Sequence, residues 1–148
     1  MLTKKQEMIL FFRIRIILKE VEMAIYADAT LKIVSQSYDH LTAEQIFTEM
    51  KREFPKIVMA TVYNNLNSLV AEGLVRRISL DEGPDHYDRT IRHDHLICIQ
   101  CQKITDAYLP DLKNCIEEHL SKSIESYELQ IKWICPECRK SLLEKGGE

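Results

Sequence analysis

The chain has 148 residues, of which 45% are hydrophobic and 29% are charged, as in an ordinary globular protein rather than a disordered one. Its formal net charge is −3, which excludes DNA binding through bulk charge, so any such binding must depend on a local motif. The apolar run Met8–Leu18 contains Arg13 and Arg15 and is too short to cross a membrane. We interpret it as a buried helix or strand of a cytoplasmic protein with no membrane partner.

Three helices are predicted in the first part of the chain. The first covers Val21–Val34, where apolar residues recur at helical spacing. The second begins at Thr42, three residues before Gln45, which is the spacing of a capping box. The third covers Ala60–Glu72, with an apolar face and a glycine directly after its end.

Two short strands, Leu74–Ile78 and His86–Asp88, follow these helices and flank a turn. Three helices and a β-hairpin predict a winged helix-turn-helix DNA-binding domain over residues 1–88. The polar face of the third helix carries hydroxyl and amide groups that can bond to base edges and phosphates, although many such faces are only solvated. The candidate DNA-binding residues are Thr61, Tyr63, Asn64 and Asn67.

Residues 89–148 are predicted to form a small α/β dimerisation domain, which makes the whole chain α+β. The predicted elements are strands at Leu96–Ile99, Ile104–Tyr108 and Tyr127–Ile134, a helix at Asp111–Ser123, and a last helix from Pro136. A unit with so little core usually needs a metal, a partner chain or both.

Two CxxC pairs are the strongest chemical signal in the sequence. Cys98 and Cys101 form one pair, and Cys135 and Cys138 form the other. The two-residue spacing lets both thiolates of a pair reach one tetrahedral ion, so the four cysteines are predicted to bind zinc. With no open coordination position, this zinc is expected to be structural. Cys115 is predicted to be a core residue of its helix.

A second candidate metal site contains His93 and His95, whose alternation on a strand places both imidazoles on one side. Asp88 and Asp106 are close enough in the chain to contribute carboxylates. Such a nitrogen and oxygen set suits iron, manganese, zinc or nickel, although a solvated histidine pair at a strand edge explains the motif equally well. His40 is ordinarily a loop residue, and it becomes a ligand only if the two halves of the chain meet.

Several segments resemble the ferric uptake regulator family in both order and spacing. They are His40–Phe47, Ala60–Leu66, Glu72–Val75 and His93–Asp106, within a resemblance that covers residues 38–148. The resemblance implies a homodimer that binds double-stranded operator DNA as a repressor, with structural zinc and a regulatory iron(II) or manganese(II). Carried over by position, the regulatory ligands are His40, Asp88, His93, His95 and Asp106, with His86 as a substitute for Asp88.

Within that family, Asp88, Asp106 and Asn64 resemble the peroxide-sensing branch, in which a ligand histidine is oxidised and DNA is released. The iron-responsive branch is the alternative. Three features depart from the family. Its Thr-Pro-Gln-Arg segment aligns with Ala24–Ala27, which removes an arginine that helps to hold DNA. The spacing from Asp88 to His93 is one residue shorter than in the peroxide-sensing branch, which is why His86 is a substitute for Asp88. The positions of a peripheral metal site align with Arg92, Lys113 and Tyr127.

Two other classes of protein would use the same candidate metal ligands. A zinc-dependent hydrolase would use the histidine–carboxylate set, but no base, nucleophile or oxyanion-stabilising loop accompanies these residues, and the chain has only four glycines. An electron carrier with iron on the cysteines would be expected to have glycine-rich and aromatic loops, which are missing. The sequence therefore predicts a protein that is not an enzyme.

Overall fold

The computed structural model describes residues 3–145 and divides into two compact units, Met1–Thr90 and Ile91–Glu148. Both helices and sheets are present, as the α+β prediction requires. The helices are α1 Lys4–Gln36, α2 Ala43–Glu53, α3 Met59–Ala71, α4 Lys113–Leu120 and α5 Pro136–Lys145. The strands are β1 Leu41–Thr42, β2 Arg76–Ile78, β3 His86–Asp88, β4 Asp94–Cys98, β5 Ile104–Ala107 and β6 Gln130–Trp133. In the part of the chain described, no helix is long and apolar enough to span a membrane.

Helix α1 differs most from the prediction, because it has 33 residues and begins far ahead of Val21. Thr3 caps it through a capping box with Gln6, and no glycine or proline interrupts the segment that follows. The prediction that Met8–Leu18 is buried was wrong: the run is helical but exposed, and 69% of Phe11 is accessible. The cause is tertiary, since only the last turns of α1 contact the rest of the first unit.

The first unit packs the end of α1 against α2 and α3, around fully buried Val34, Ile46 and Leu66. The predicted capping box is confirmed, because Thr42 accepts from the backbone N–H of Gln45 and Gln45 bonds back. Three antiparallel strands in the order β1-β3-β2 complete the winged helix. Between α3 and this sheet, Gly73 takes a φ of 71°, a left-handed conformation that favours glycine after a helix.

The second unit is a three-stranded sheet in the order β5-β4-β6, with β4 antiparallel to β5 and parallel to β6. Its buried apolar set is small and includes Ile97, Cys98 and Cys135. Neither α4 nor α5 buries any of its described residues. The prediction that Cys115 is a core residue was wrong, since it is exposed on α4. This unit therefore has little apolar packing apart from β4 and the buried cysteines.

Candidate metal centres and nucleic-acid interface

The four predicted zinc cysteines lie together in the second unit, with all their Sγ atoms within 4.8 Å of one another. Cys98 is the last residue of β4 and Cys135 directly precedes α5, so each CxxC pair begins at the boundary of a regular element. The Sγ atoms of Cys101 and Cys135 are 3.8 Å apart. Four sulfurs around a zinc at about 2.3 Å are separated by about 3.8 Å, so this spacing fits a tetrahedral ion.

Backbone donors prepare Cys98 to act as a thiolate. The N–H of Cys135 donates to Sγ of Cys98 at 3.3 Å, and further backbone N–H groups come from Cys101 and Gln100. These hydrogen bonds lower the pKa of Cys98 to about 6, because they favour the charged sulfur. Nearby sulfurs instead raise the pKa of Cys138 to about 12. The cluster thus has one thiol that ionises readily, Cys98, while the raised pKa of Cys138 means that this thiol needs a bound cation to lose its proton.

The histidine pair of the second unit is buried and held in one orientation. Nδ1 of His93 lies 2.6 Å from the carbonyl oxygen of Ile91, so this nitrogen carries the proton and donates it. Nε2 of His93 is consequently the acceptor nitrogen of the ring, and it faces His95. The Nε2 atoms of His93 and His95 are 3.1 Å apart. Two nitrogens bound at about 2.1 Å to adjacent positions of one metal have about this separation.

A carboxylate joins this pair from the neighbouring strand. Asp106 is opposite His95 in the β4–β5 register, and its Oδ1 lies 3.4 Å from Nε2 of His93. Asp94 is also buried but alternates to the other face of β4. The second unit therefore brings together three of the predicted regulatory ligands, two nitrogen donors from buried histidines and one oxygen donor from a partly buried aspartate.

The first unit holds the other two predicted ligands. His40 has a positive φ of 49° just before β1, and only 4% of it is exposed. Its Nε2 is 4.0 Å from Oδ2 of Asp88, at the end of β3. The expectation of an ordinary loop position for His40 missed this burial, since a lone histidine before a helix gives no local signal of it.

Two arginines balance the buried charge of Asp88. Arg76 lies opposite Asp88 in the β2–β3 register and donates to its Oδ2 at 3.1 Å. Arg89 adds its backbone N–H at 2.8 Å and its guanidinium at 3.7 Å. Neither arginine was predicted as a partner of Asp88, although the register of the predicted hairpin could have indicated Arg76. Any cation at Asp88 shares this carboxylate with two positive side chains.

His86, the suggested substitute for Asp88, lies two residues earlier on β3 and is half-buried. Neither of its ring nitrogens has a hydrogen-bond partner among the described residues. Burial lowers the pKa of His86, and the nearby Asp85 offsets only part of this shift. At neutral pH its imidazole is therefore uncharged.

The outer face of α3 presents the predicted DNA-binding side chains to different extents. Tyr63 is 43% exposed, Asn64 is exposed, and Thr61 is half-buried at the start of the helix. Asn67 is exposed too, but its amide oxygen accepts a hydrogen bond from Arg77 on β2. Tyr63 and Asn64 thus present open polar groups, whereas Asn67 positions an arginine of the wing.

Two of the three positions aligned with the family's peripheral metal site carry cations, Arg92 and Lys113, and the third is Tyr127. The guanidinium of Arg92 donates to the hydroxyl of Tyr127 and lies 3.7 Å from Oδ1 of Asp111. Lys113 forms an ion pair at 3.9 Å with Glu117. Positive side chains therefore occupy positions where a metal ion would need electron donors.

Comparison with known proteins places this arrangement in a family. The sequence model of the ferric uptake regulator family matches residues 27–133. The chain belongs to this family. A peroxide-responsive repressor, PerR, from Staphylococcus aureus is 31% identical over 115 residues, which are 75% of this chain and 78% of that protein. Members of the family are transcriptional regulators and not enzymes, as the sequence predicted.

Solved structures agree with this assignment. The Campylobacter jejuni peroxide stress regulator superposes with a TM-score of 0.74 at 26% identity, over 84% of this chain and 98% of its own. A ferric uptake regulator from Francisella tularensis, solved with iron, gives 0.63 at 29% identity, over 77% and 91% of the two chains. The four-cysteine cluster fits a structural zinc, and the histidine and aspartate donors fit a regulatory iron or manganese.

Proposed function

We propose that this chain is a homodimeric, metal-dependent repressor that binds operator DNA in the cytoplasm and releases it in response to peroxide. The observation that carries the proposal is the cluster of buried His93 and His95 with partly buried Asp106. Nε2 of His93 lies 3.1 Å from Nε2 of His95 and 3.4 Å from Oδ1 of Asp106. The similarity to PerR and to the peroxide stress regulator supports the peroxide response.

In this proposal residues 1–88 form the DNA-binding domain and residues 89–148 the metal-binding dimerisation domain. Structural zinc is held by the four cysteines Cys98, Cys101, Cys135 and Cys138. One regulatory ion takes ligands from both domains: His40, Asp88, His93, His95 and Asp106. Only four residues lie between Asp88 and His93, and the five steps of chain span at most about 17 Å when extended, so one ion can draw on both sets.

The regulation then follows from linkage. An ion that takes donors from both domains binds best to one arrangement of them, and it shifts the population toward that arrangement. Iron(II), when bound, supplies the electrons that reduce peroxide. The chain itself contributes buried imidazoles, which the Ile91 carbonyl orients in the case of His93, as oxidisable groups beside the ion. Loss of a ligand imidazole would weaken metal binding and hence DNA binding.

The test combines mass spectrometry with DNA affinity. The protein is loaded with iron(II), exposed briefly to peroxide and digested, and the peptides carrying His40, His93 and His95 are weighed. We expect addition of oxygen to a ligand histidine together with loss of operator affinity. The same treatment of manganese-loaded protein should leave both unchanged, because manganese(II) does not transfer electrons to peroxide as readily.

An iron-responsive repressor without peroxide sensing is the second candidate, because the same donor set suits reversible metal binding. Unmodified histidines and undiminished DNA binding after peroxide, with DNA affinity that depends on added iron, would establish this candidate instead. Retention of DNA affinity by the protein with an empty regulatory site would contradict both candidates.

A further inference from the structure

The first part of α1 is an exposed apolar helix without packing of its own. Every residue from Thr3 to Ile25 is exposed, including Phe11 at 69% and Leu18 at 63%. The match to the family begins only at residue 27, so this segment lies ahead of the shared fold. In proteins most of the stability of a helix comes from packing of its apolar face, and large exposed apolar patches are typical of interaction sites.

One stripe of this helix has the spacing of a coiled coil. Leu10, Ile14, Ile17 and Val21 are separated by four, three and four residues in turn, and we call these four residues the seam. Alternation of four and three keeps apolar side chains on one line facing a partner helix. At 1.5 Å per residue, the seam extends over about 17 Å. Two of the four seam residues are followed directly by another apolar residue, Leu10 by Phe11 and Ile17 by Leu18, which widens the contact.

Charges beside the seam indicate which partner fits. Arg13 directly precedes Ile14, and Glu20 directly precedes Val21, so these opposite charges flank the same edge one heptad apart. In a parallel pair this edge faces the opposite edge of the partner, where Arg13 meets apolar Leu18. In an antiparallel pair like edges face each other, and Arg13 meets the second copy's Glu20, twice by symmetry.

We propose that α1 pairs antiparallel with α1 of a second copy of this chain, in the register that layers Ile14 on the second copy's Ile17. A lipid surface fits less well, because an interfacial helix needs one polar face. Here Met8, Phe12 and Ile16 line a second apolar groove away from the seam. A helix that is apolar on two sides is typical of one packed between neighbours. The contact is separate from dimerisation through residues 89–148.

The experiment reverses the charges in the full-length, zinc-loaded protein and measures average mass by sedimentation over a dilution series. Arg13→Glu and Glu20→Arg each place like charges opposite one another at two points, and each should weaken self-association on the order of tenfold. The double variant Arg13→Glu/Glu20→Arg restores both ion pairs and should associate as the unchanged protein does. Arg13, Glu20 and the control residue Arg15 are all exposed, so these substitutions leave the fold unaffected.

Arg15→Glu is the matched control, because it makes the same charge change away from the seam and should leave the mass unchanged. The single-variant effects should also shrink in high salt. Equal association of all four variants would overturn the proposal, as would failure of the double variant to recover. Binding of the unchanged protein to vesicles of mixed neutral and anionic phospholipid, with no dependence of mass on these charges, would overturn it in favour of a membrane surface.

Discussion

The two candidate metal sets differ in how much of each lies within one unit of the fold. All four cysteines belong to the second unit and converge within 4.8 Å. The predicted regulatory ligands are divided instead, with His40 and Asp88 in the first unit and His93, His95 and Asp106 in the second. A metal on the first set can hold one unit together, whereas a metal on the divided set can link the state of one unit to that of the other.

The two sets also differ in how the negative charge of their ligands is stabilised. Among the cysteines, hydrogen bonds from the backbone N–H groups of Cys135, Cys101 and Gln100 and from the Cys101 side chain favour the Cys98 thiolate. Asp88 in the divided set already has Arg76 and Arg89 beside it. Because its charge is partly balanced without metal, the first unit can be stable when the regulatory ion leaves. The occupancy of a regulatory metal site at Asp88 can then vary without unfolding of the first unit. A sensor requires this property, whereas a structural site does not.

The largest effect is expected from removal of a zinc ligand. Cys98→Ser or Cys135→Ser takes a buried sulfur from a unit that has few other buried apolar residues. Structural zinc contributes about 10–16 kcal/mol of apparent binding free energy, so the second unit should unfold and zinc and dimer should be lost together. Zinc content by atomic emission, mass by light scattering and circular dichroism measure the result.

Cys115→Ser is the matched control for this prediction, because that cysteine is exposed on α4 and lies outside the cluster. It should keep full zinc and an unchanged dimer. A Cys98→Ser protein that stayed a folded dimer with one zinc per chain would show that the four thiols are not the structural site.

The next effect separates the two sets. Asp106→Asn or His95→Ala should lower the affinity for manganese(II) by a hundredfold or more, on the order of 3 kcal/mol, while one zinc per chain remains. The reason is that each variant removes a donor from the histidine set and leaves every cysteine in place. Equilibrium dialysis against manganese(II), with zinc counted in parallel, measures both sites in one sample.

His119→Ala is the control, since that histidine is exposed on α4 and bonds within its own helix. Equal manganese affinity in the Asp106, His95 and His119 variants would mean that the buried histidine set is not the regulatory site. Loss of zinc along with manganese would mean that the two sets are not energetically separate.

The elements and the cysteine set were predictable because their signals are local. A capping box at Thr42, a left-handed glycine after α3 and two CxxC pairs are each decided by a few adjacent residues. The strand alternation that pairs His93 with His95 is local as well. The length and exposure of α1 were missed, because an apolar run is buried only where another element covers it. The burial of His40 was missed for the same reason.

A smaller effect is expected on the DNA-facing helix of the first unit, away from both metal sets. Asn64→Ala should weaken operator binding by about 1–3 kcal/mol and relax specificity at one position, because its exposed amide is suited to a base edge. Asn67→Ala should weaken binding more evenly across sequences, because it removes the support of Arg77. Titration of fluorescent operator duplexes with single base changes distinguishes the two patterns.

Ser68→Ala is the matched control on α3, and neither it nor the two asparagine variants should alter metal content. If Asn64→Ala and Asn67→Ala both bound the operator as tightly as the unchanged protein, α3 would not be the recognition helix.

The smallest effect concerns His86 and tests whether this residue is one of the regulatory ligands. Burial lowers the pKa of His86 in the folded state, so the unfolded chain takes up a proton first as the pH falls. The uncharged imidazole therefore contributes its full stability above about pH 6.5, the ordinary histidine pKa. This contribution is lost as the pH falls from there toward the pKa of the folded state.

His86→Phe should remove this part of the pH dependence between pH 7.5 and 5.5, measured by thermal unfolding of zinc-loaded protein without regulatory metal. His119→Phe, at an exposed site, should keep the slope of the unchanged protein. Manganese affinity of the His86 variant then decides its role: unchanged affinity leaves Asp88 as the first unit's carboxylate ligand, and a hundredfold loss would make His86 the ligand in its place.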